Sequence, residues 1–258
     1  MLLAIDIGNT SVKLGVFDGD RLAYTWTLAT SIHRTPDEYG TFLLDLMEHQ
    51  RLLPSSVKGT VLCGVVPPLI SVFADLCQEY LHHKPLVVEA GIKTGIRIQV
   101  DNPREVGTDR VVGVIAAHHL YEKPIIIIDF GTAITFDVIS RDGDYIGGVI
   151  CPGMTVALEA LFSRTAMLPR IEMSHPLQVI GKNTVSAMQS GMVLGYTSLI
   201  EGMVKRIEGE LGGKSLVVAT GGYARQIARG TSTIDVVNSD LVMTGLRLVY
   251  ERNKRDDP

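Results

Sequence analysis

The sequence feature that most constrains the fold is a short pattern that occurs twice. The apolar run Leu2–Ile5 ends in Asp6-Ile7-Gly8-Asn9-Thr10, and the apolar run Ile125–Ile128 ends in Asp129-Phe130-Gly131-Thr132-Ala133. The two aspartates are 123 positions apart, and an Asp-Gly-Asp turn begins 12 residues after the first and 13 residues after the second. A β-bulge is expected to absorb this one-residue difference. The repetition predicts a duplicated domain, in which each half presents a carboxylate and a glycine at a strand end.

The hydrophobic pattern around each repeat predicts a β-meander followed by alternating helices and strands. Strands are predicted at Leu2–Ile7, Ser11–Phe17, Arg21–Leu28, Thr60–Val66, Leu86–Glu89, Ile125–Asp129, Ile134–Ile139, Tyr145–Ile150 and Leu216–Ala219. Helices are predicted from Pro36 to about Gln50, from Pro67 to about Leu81, from Asn102 to about Tyr121, and at Thr155–Phe162, Thr184–Leu211 and Asp240–Asn253. We therefore expect two mixed β-sheets flanked by helices, an α/β fold.

Composition and charge exclude several classes of protein. The chain has 258 residues, of which 46% are hydrophobic and 20% charged, as expected for a globular enzyme of one large domain or two smaller ones. A net charge of −4 argues against a nucleic-acid partner. The sequence has no apolar run long enough to span a membrane, and we expect no signal peptide. Cys63, Cys77 and Cys151 have apolar neighbours and no metal-binding spacing, which predicts reduced thiols in a cytoplasmic protein.

The two Asp-x-Gly turns are candidate phosphate-binding sites. Glycine lets a ligand approach the backbone closely, and successive N–H groups in such a turn bind phosphate oxygens. Because aspartates repel phosphate, we expect them to act through cations, with Asp6 on Mg²⁺ through water and Asp129 on a second cation. Lys13 could add a positive charge, although its place in the alternation fits an outward-facing strand residue equally well. The alternative is that each Asp-Gly pair only ends a strand, but the paired copies favour the functional interpretation.

A third candidate element is Thr220-Gly221-Gly222, which follows the apolar strand at Leu216–Ala219. Two glycines at a strand end leave room for a ribose or a flat ring to lie on the backbone. Taken alone, the pair is more typical of simple loop closure. Together with two phosphate turns, it becomes a candidate adenosine site.

These motifs, in this order, resemble those of the type III pantothenate kinases, within the acetate and sugar kinase, Hsp70 and actin superfamily. The resemblance rests on both phosphate turns, on Asp101-Asn102-Pro103, on Glu105–Arg110 and on Thr220-Gly221-Gly222. It implies duplicated ribonuclease H-like (actin-like ATPase) domains with the active site in the interdomain cleft. The N-terminal domain would cover residues 1–117 and the C-terminal domain residues 118–258.

The resemblance also implies an activity, the ATP-dependent phosphorylation of pantothenate to 4′-phosphopantothenate at the start of coenzyme A biosynthesis. It implies Mg²⁺, a monovalent cation (K⁺ or NH₄⁺) and a homodimer, for which the apolar positions Val185, Met188, Met192 and Ile200 of the long predicted helix are compatible with a contact surface. Two alternatives remain. One is a nucleotide-binding transcriptional accessory protein without kinase activity, and the other is a kinase for a different small alcohol.

Asp109 is the candidate general base of this reaction. It lies in the first turn of the helix predicted to begin at Asn102, where the helix N-terminus favours anions. Arg110 next to it offers a planar fork suited to the carboxylate of pantothenate. The alternative is an acid that only stabilises its own helix. A protein that merely binds nucleotide has no need of such a base, so Asp109 discriminates between the functions.

The resemblance assigns further residues by position. ATP contacts are implied along the first phosphate turn and in the second half, at Asp6, Ile7, Gly8, Asn9, Thr10, Ser11, Val12, Lys13, Thr132, Gly221 and Gly222. Pantothenate contacts are implied at Gly107, Thr108, Asp109, Arg110 and Thr184, and the monovalent cation at Asp129. Many family members carry Tyr where this chain has Val100 and Ala where it has Thr108, which places an additional hydroxyl beside the proposed base.

Overall fold

Residues 1–254, which the computed structural model describes, form two units, each built around a five-stranded sheet. The strands are β1 (Leu2–Ile7), β2 (Ser11–Asp18), β3 (Arg21–Ala29), β4 (Gly59–Gly64), β5 (Leu86–Val87), β6 (Ile125–Phe130), β7 (Ala133–Ile139), β8 (Tyr145–Pro152), β9 (Leu216–Gly221) and β10 (Val236–Val237). The helices are α1 (Pro36–His49), α2 (Pro67–Tyr80), α3 (Thr108–Leu120), α4 (Met154–Arg164), α5 (Thr184–Leu211), α6 (Ala224–Ala228) and α7 (Leu241–Lys254).

The two sheets have the same topology. Unit 1 has the strand order β3-β2-β1-β4-β5, and unit 2 has the order β8-β7-β6-β9-β10. In both, the first three strands of the sequence form an antiparallel meander, the fourth pairs in parallel with the first, and the fifth pairs in parallel with the fourth. The duplication expected from the sequence and the mixed sheets flanked by helices are therefore confirmed.

Unit 1 buries both faces of its central strand, which explains why β1 is apolar almost throughout. Leu3, Ile5 and Ile7 pack with residues of α1 and α2 on one face. Leu2 and Ala4 pack on the other face with residues of α3 and α7, among them Val112, Ile115, Leu246 and Val249. In unit 2, alternate residues of β6 pack with residues of α4, α5 and α6.

The ends of two helices show how the local sequence fixes these elements. Thr35 and Glu38 form a capping box at the start of α1, and Pro36 occupies the first turn. Asn183 and Ser186 form the same arrangement at α5, which ends at Gly212 in the left-handed conformation (φ 70°). Both helices were predicted from the sequence, the first from Pro36 and the second over Thr184–Leu211.

The start of one predicted helix needs correction, and the two units differ in extent from the domains expected from the sequence. The helix that carries Asp109 begins at Thr108, because Asn102 caps only a short 3₁₀ turn, Pro103–Glu105, and Val106 returns to extended backbone. The described residues from Asp240 onwards belong to unit 1, where α7 packs on β1 and β4. These residues were expected in the C-terminal domain. Residues 255–258, also expected there, lie outside the described part of the chain. Unit 2 consists of Ile98–Val100 and Leu120–Ser239.

The one-residue difference between the repeats does not arise from a single bulge. Both meanders have an irregular register at equivalent places, between Val16 and Phe17 and between Val138 and Ile139. Asp6 pairs with Lys13 whereas Asp129 pairs with Thr135, so the second phosphate turn is one residue shorter. The following stretch, up to the Asp-Gly-Asp turn, is two residues longer in the second copy.

The apolar face expected on α5 is used inside unit 2. Met188, Met192 and Ile200 are buried, and only Val185 of that set is exposed. Exposed apolar side chains are concentrated in the segment that precedes this helix, at Val156, Leu161, Phe162, Met167, Leu177, Val179 and Ile180. Among residues 1–254, none of the helices combines the length and apolar character needed to cross a membrane.

Candidate active site

The first phosphate turn, Gly8–Ser11, is held by three backbone hydrogen bonds. Inside the turn, the amide of Gly8 donates to the carbonyl of Ser11 (3.0 Å). The amide of Thr30, after β3, donates to the carbonyl of Thr10 (3.1 Å), and the amide of Val65, after β4, donates to the carbonyl of Ile7 (3.0 Å). These bonds fix the turn to its neighbouring strands, while Asn9 and Thr10 remain exposed at its tip.

The second phosphate turn, Gly131–Ala133, repeats these three bonds. The amide of Gly131 donates to Ala133 (3.1 Å), the amide of Gly153 donates to Thr132 (3.0 Å), and the amide of Gly222 donates to Phe130 (3.1 Å). Gly131 and Thr132 are exposed. The duplication therefore extends from strand order to individual hydrogen bonds.

Asp6 is a buried carboxylate next to the first turn, with 9% of its surface exposed. Burial raises its pKa to about 6 from the usual value of 3.8, the negative charge of Asp109 adds to the rise, and the Lys13 ammonium and a hydrogen bond from Cys63 oppose it. Lys13 pairs with Asp6 across β1 and β2, so both side chains lie on the same face of the sheet. The position of Lys13, left open by the sequence, is thus beside Asp6.

Ile7 and Val12 differ from the other residues of the first turn region, since their side chains are completely buried in the core of unit 1. They can present only backbone atoms to a ligand. Backbone atoms are sufficient for the phosphate-binding role expected of the turn, because this role depends on amide N–H groups and not on side chains.

Cys63 was not selected from the sequence, yet its thiol contacts Asp6. Its Sγ donates to Oδ1 of Asp6 (3.5 Å), and burial, with the charges of Asp6 and Asp109, holds the pKa of the thiol well above its usual range. Cys63-Gly64 pairs with Asp6-Ile7 in the same register as Thr220-Gly221 pairs with Asp129-Phe130. Extending the internal repeat to β4 and β9 would have identified Cys63 and Gly64.

Asp109 lies in the first turn of α3 within the electrostatic range of Asp6. Its Oδ1 accepts a hydrogen bond from the amide of Arg110 (2.8 Å), which orients the carboxylate. A Cβ on Gly107 would lie 2.6 Å from the same oxygen, so only glycine leaves the carboxylate in this position. Unit 1 therefore brings together Asp6, Asp109 and Lys13.

Thr108 is bound to the end of β4. Its Oγ1 accepts a hydrogen bond from the amide of Gly64 and donates one to the carbonyl of the same residue, both over 3.2 Å. The first residue of α3 is thereby fixed to the strand that pairs with β1.

In unit 2, Asp129 lies at the end of β6 against Gly221 of β9. Gly221 has a φ of 90°, and a Cβ on it would lie 2.5 Å from Oδ1 of Asp129 and 2.7 Å from the backbone nitrogen of Phe130. Gly222 differs, since a Cβ there would have no neighbour within 4 Å. The surface over Gly222 is thus open, as an adenosine site requires.

Thr184 and Val100 lie elsewhere in unit 2. Thr184 is exposed at the start of α5 and lines a cavity of about 780 Å³ together with Leu161, Lys182 and Met188. Val100 lies beside Gly147 of β8, and a Cβ added to this glycine would be 3.8 Å from Cγ1 of the valine.

Sequence comparison identifies the family. The model of the type III pantothenate kinase family matches residues 2–206. Type III pantothenate kinases from Dehalococcoides mccartyi strains BAV1 and CBDB1 are each 49% identical to this chain over 253 residues, which make up 98% of this chain and 96% of each relative. The chain belongs to the type III pantothenate kinase family. Members of this family are phosphotransferases, and the prediction of a kinase is confirmed.

Solved structures of more distant proteins share the fold of this chain. A Baf family protein from Campylobacter jejuni, which carries the name of a transcriptional activator, covers 98% of this chain and 99% of its own length, with a TM-score of 0.64 and 18% identity. The activator of 2-hydroxyisocaproyl-CoA dehydratase from Clostridium difficile covers 100% of this chain and 98% of its own, with a TM-score of 0.54 and 14% identity. At these identities the likeness concerns the fold alone.

Each of the two turns has one carboxylate beside it, Asp6 in unit 1 and Asp129 in unit 2, so a cation held there would need further ligands from phosphate and water. Within residues 1–254, no three His, Cys, Asp or Glu side chains cluster to hold a metal by themselves. Mg²⁺ commonly binds one or two carboxylates together with substrate phosphates and waters. Asp6, buried with a raised pKa, would be more readily ionised beside such a cation, and the carboxylate of Asp129 lies close to the backbone of Gly221.

Proposed function

We propose that the protein transfers the γ-phosphoryl group of ATP to the primary hydroxyl of pantothenate, which gives 4′-phosphopantothenate and ADP. The observation that carries this proposal is the pairing of Asp109, oriented at the start of α3, with the buried Asp6 beside the first phosphate turn. The hydroxyl oxygen forms the new P–O bond as the bond to ADP breaks. The proton of the hydroxyl passes to the carboxylate of Asp109.

The phosphate turns are the proposed ATP contacts. In unit 1, the amides of the exposed turn after β1 and the ammonium of Lys13 attract phosphate oxygens, whereas Ile7 and Val12 contribute backbone only. In unit 2, Thr132 contributes to phosphate binding, and the open backbone at Gly222 accepts the adenosine. Gly221 keeps the strand end close to Asp129.

Two cations complete the proposal. Asp6 would hold Mg²⁺ through water, and Asp129 would hold K⁺ or NH₄⁺. When bound, these ions neutralise phosphate charge in the nucleotide and in the transition state. The chain supplies an ionised carboxylate at the end of each of the two strands. Because these carboxylates would repel phosphate, the cations lie between them and the phosphates in this proposal.

Pantothenate binding is proposed at the start of α3. The guanidinium of Arg110 suits the carboxylate of pantothenate, and the helix N-terminus adds a favourable field for this anion. Gly107 leaves room for the base, and Thr184, exposed beside its cavity in unit 2, is a further proposed contact.

A homodimer is also part of the proposal, although through a different surface from the one expected. The exposed apolar side chains between Val156 and Val185 include Met167, Leu177 and Ile180, and such a concentration marks an interaction surface. A second copy of the chain is the proposed partner. The cytoplasmic location expected from the sequence stays a prediction.

The alternative, a transcriptional accessory protein without kinase activity, is not favoured. Asp109 and the glycine that gives its carboxylate room are both present, and a binding protein would need neither. The net charge of −4 gives no support to DNA binding.

The test is an assay of the purified protein with ATP, Mg²⁺ and pantothenate, with and without K⁺, in which the phosphorylated product is measured by mass spectrometry. Formation of 4′-phosphopantothenate with release of ADP is expected. Pantoate, pantetheine and glycerol serve as competing acceptors. Phosphorylation of one of these at a higher kcat/KM than pantothenate would contradict the proposed substrate, and no phosphorylated product from any acceptor would contradict the proposed activity.

A further inference from the structure

The hydroxyl of Thr108 forms two hydrogen bonds with one residue, Gly64. Oγ1 accepts from the amide of Gly64 and donates to its carbonyl, at 3.2 Å in each case. A hydroxyl has a single proton to donate. Toward a substrate, Thr108 could therefore only accept a hydrogen bond, and it could not donate one to a carboxylate without releasing Gly64.

Gly64 is a rigid attachment point. It ends β4 and pairs in parallel with Ile7. A Cβ on Gly64 would lie 2.8 Å from the Cβ of Ile7, so a side chain here could be accommodated only if the neighbouring strand shifted. The next residue, Val65, donates its amide to the carbonyl of Ile7 (3.0 Å). Whatever is bound to Gly64 is thus fixed relative to the strand end that carries Asp6.

Asp109 follows Thr108 directly, in the first turn of the same helix. Fixing Thr108 therefore sets the distance of the Asp109 carboxylate from Asp6, whose charge interacts with it. A displacement of about 1 Å in a reacting group can lower a rate on the order of a hundredfold, because orientation contributes heavily to catalysis. A single tether at this position can thus affect the reaction without any contact with substrate.

We infer that Thr108 is a positioning residue, which fixes the general base Asp109 relative to Asp6 through its two hydrogen bonds with Gly64. The inference rests on the proposed function and deepens it, since it replaces the expected substrate contact of Thr108 with a role that acts through Asp109. In this chain the hydroxyl makes both hydrogen bonds, so serine at this position keeps the role, whereas valine and alanine lose it.

The experiment compares Thr108→Val, Thr108→Ala and Thr108→Ser with the unaltered protein, and uses Thr41→Val, an exposed threonine on α1, as the matched control. We expect Val and Ala to lower kcat about tenfold, with the KM values for ATP and pantothenate changed less than about twofold. Ser should retain kcat. The Ala variant removes the same hydroxyl without adding a methyl group, which covers the case in which Val does not fold.

Hydrogen exchange provides a readout that does not depend on activity. The amide of Gly64 should exchange faster in Thr108→Val and Thr108→Ala than in the unaltered protein and in Thr108→Ser. Unchanged kcat in both Val and Ala, or an equal loss of kcat in Ser, would overturn the inference. A raised KM for pantothenate at constant kcat would also overturn it, in favour of direct substrate contact. Faster exchange at Gly64 in a protein that proves to lack kinase activity would overturn the proposed function while supporting the tether.

Discussion

The thiol of Cys63 donates a hydrogen bond to Oδ1 of Asp6 at the ends of two adjacent parallel strands. A thiol is a weak donor, so this contact offsets little of the cost of burying a carboxylate. The raised pKa of Asp6, about 6, expresses the remaining cost. The buried carboxylate of Asp6 thus destabilises the protein without ligand, which is typical of an acidic residue in a functional site.

Replacing Asp6 should separate stability from activity. The pKa of Asp6 in the folded protein, about 6, exceeds its usual value of 3.8, so the folded state binds the proton more tightly. The ionised carboxylate therefore costs stability above pH 6, and this cost disappears as the pH falls toward 3.8. Without nucleotide and divalent cations, Asp6→Asn should raise the free energy of unfolding by roughly 2–3 kcal/mol at pH 7.5. The difference should shrink at pH 4.5.

Denaturant unfolding at both pH values measures this effect, with Asp75→Asn, an exposed aspartate on α2, as the control. The same Asp6 variant should lose more than about tenfold in kcat with Mg²⁺ and ATP. Equal stability of Asp6→Asn and the unaltered protein at pH 7.5 would contradict the burial cost assigned to this carboxylate.

Gly107→Ala should damage the reaction more than the fold. The added Cβ would lie 2.6 Å from Oδ1 of Asp109 and would force the carboxylate to turn away. We expect kcat to fall about tenfold or more, while the free energy of unfolding changes by less than about 1 kcal/mol. Steady-state kinetics and denaturant unfolding measure the two quantities. Gly202→Ala, at an open and exposed position of α5, is the matched control, and a normal kcat in Gly107→Ala would show that the carboxylate has room to move.

The two glycines after β9 should respond differently to alanine. Gly221→Ala combines a φ of 90° with a contact 2.5 Å from Asp129, so we expect a loss of about 2 kcal/mol in unfolding free energy. Gly222→Ala meets nothing within 4 Å and should leave stability within about 0.5 kcal/mol. If adenosine lies on this backbone, Gly222→Ala raises the dissociation constant of ATP. Calorimetric titration with ATP decides, and unchanged affinity would place the adenosine elsewhere.

Asp129→Ala should weaken ATP binding and blunt the response to K⁺. The carboxylate is the proposed charge that holds a monovalent cation at the second strand end. Initial rates are measured across a K⁺ series in which Na⁺ keeps the ionic strength constant. Asp142→Ala, an exposed acid in the Asp-Gly-Asp turn of unit 2, is the control. If Asp129→Ala and the control retain the same K⁺ dependence as the unaltered protein, the cation has other ligands.

The sequence predicted elements that depend on local signals and missed features that depend on distant packing. The apolar strands β1 and β6, the start of α1 at Pro36 and the start of α5 at Thr184 all follow from neighbouring residues. The start of α3 was placed too early, because Asn102 and Pro103 give a capping signal that a single 3₁₀ turn can also satisfy. The packing of α7 on the first sheet could not be read from hydrophobic periodicity, which gives a buried face but not its partner.

The same distinction applies to the candidate site. Both turns and Asp109 were selected from sequence motifs, because backbone geometry and charge restrict the residue types at these positions, and their roles stay predictions. Cys63 and Gly64 were missed, since their contact with Asp6 and Ile7 arises only when β4 pairs with β1. The direction of Lys13 likewise became clear only from its register with Asp6.

In the proposed reaction, Asp109 takes the proton from the hydroxyl that attacks ATP. The most direct measurement is the rate of γ-phosphoryl transfer from ATP to pantothenate by Asp109→Asn, with the dissociation constant of ATP measured on the same sample and Asp45→Asn, an exposed acid on α1, as the control. We predict a loss of about 10²- to 10⁴-fold in kcat, with ATP binding changed less than about threefold. Transfer by Asp109→Asn at the rate of the control, with ATP binding intact, would contradict the account.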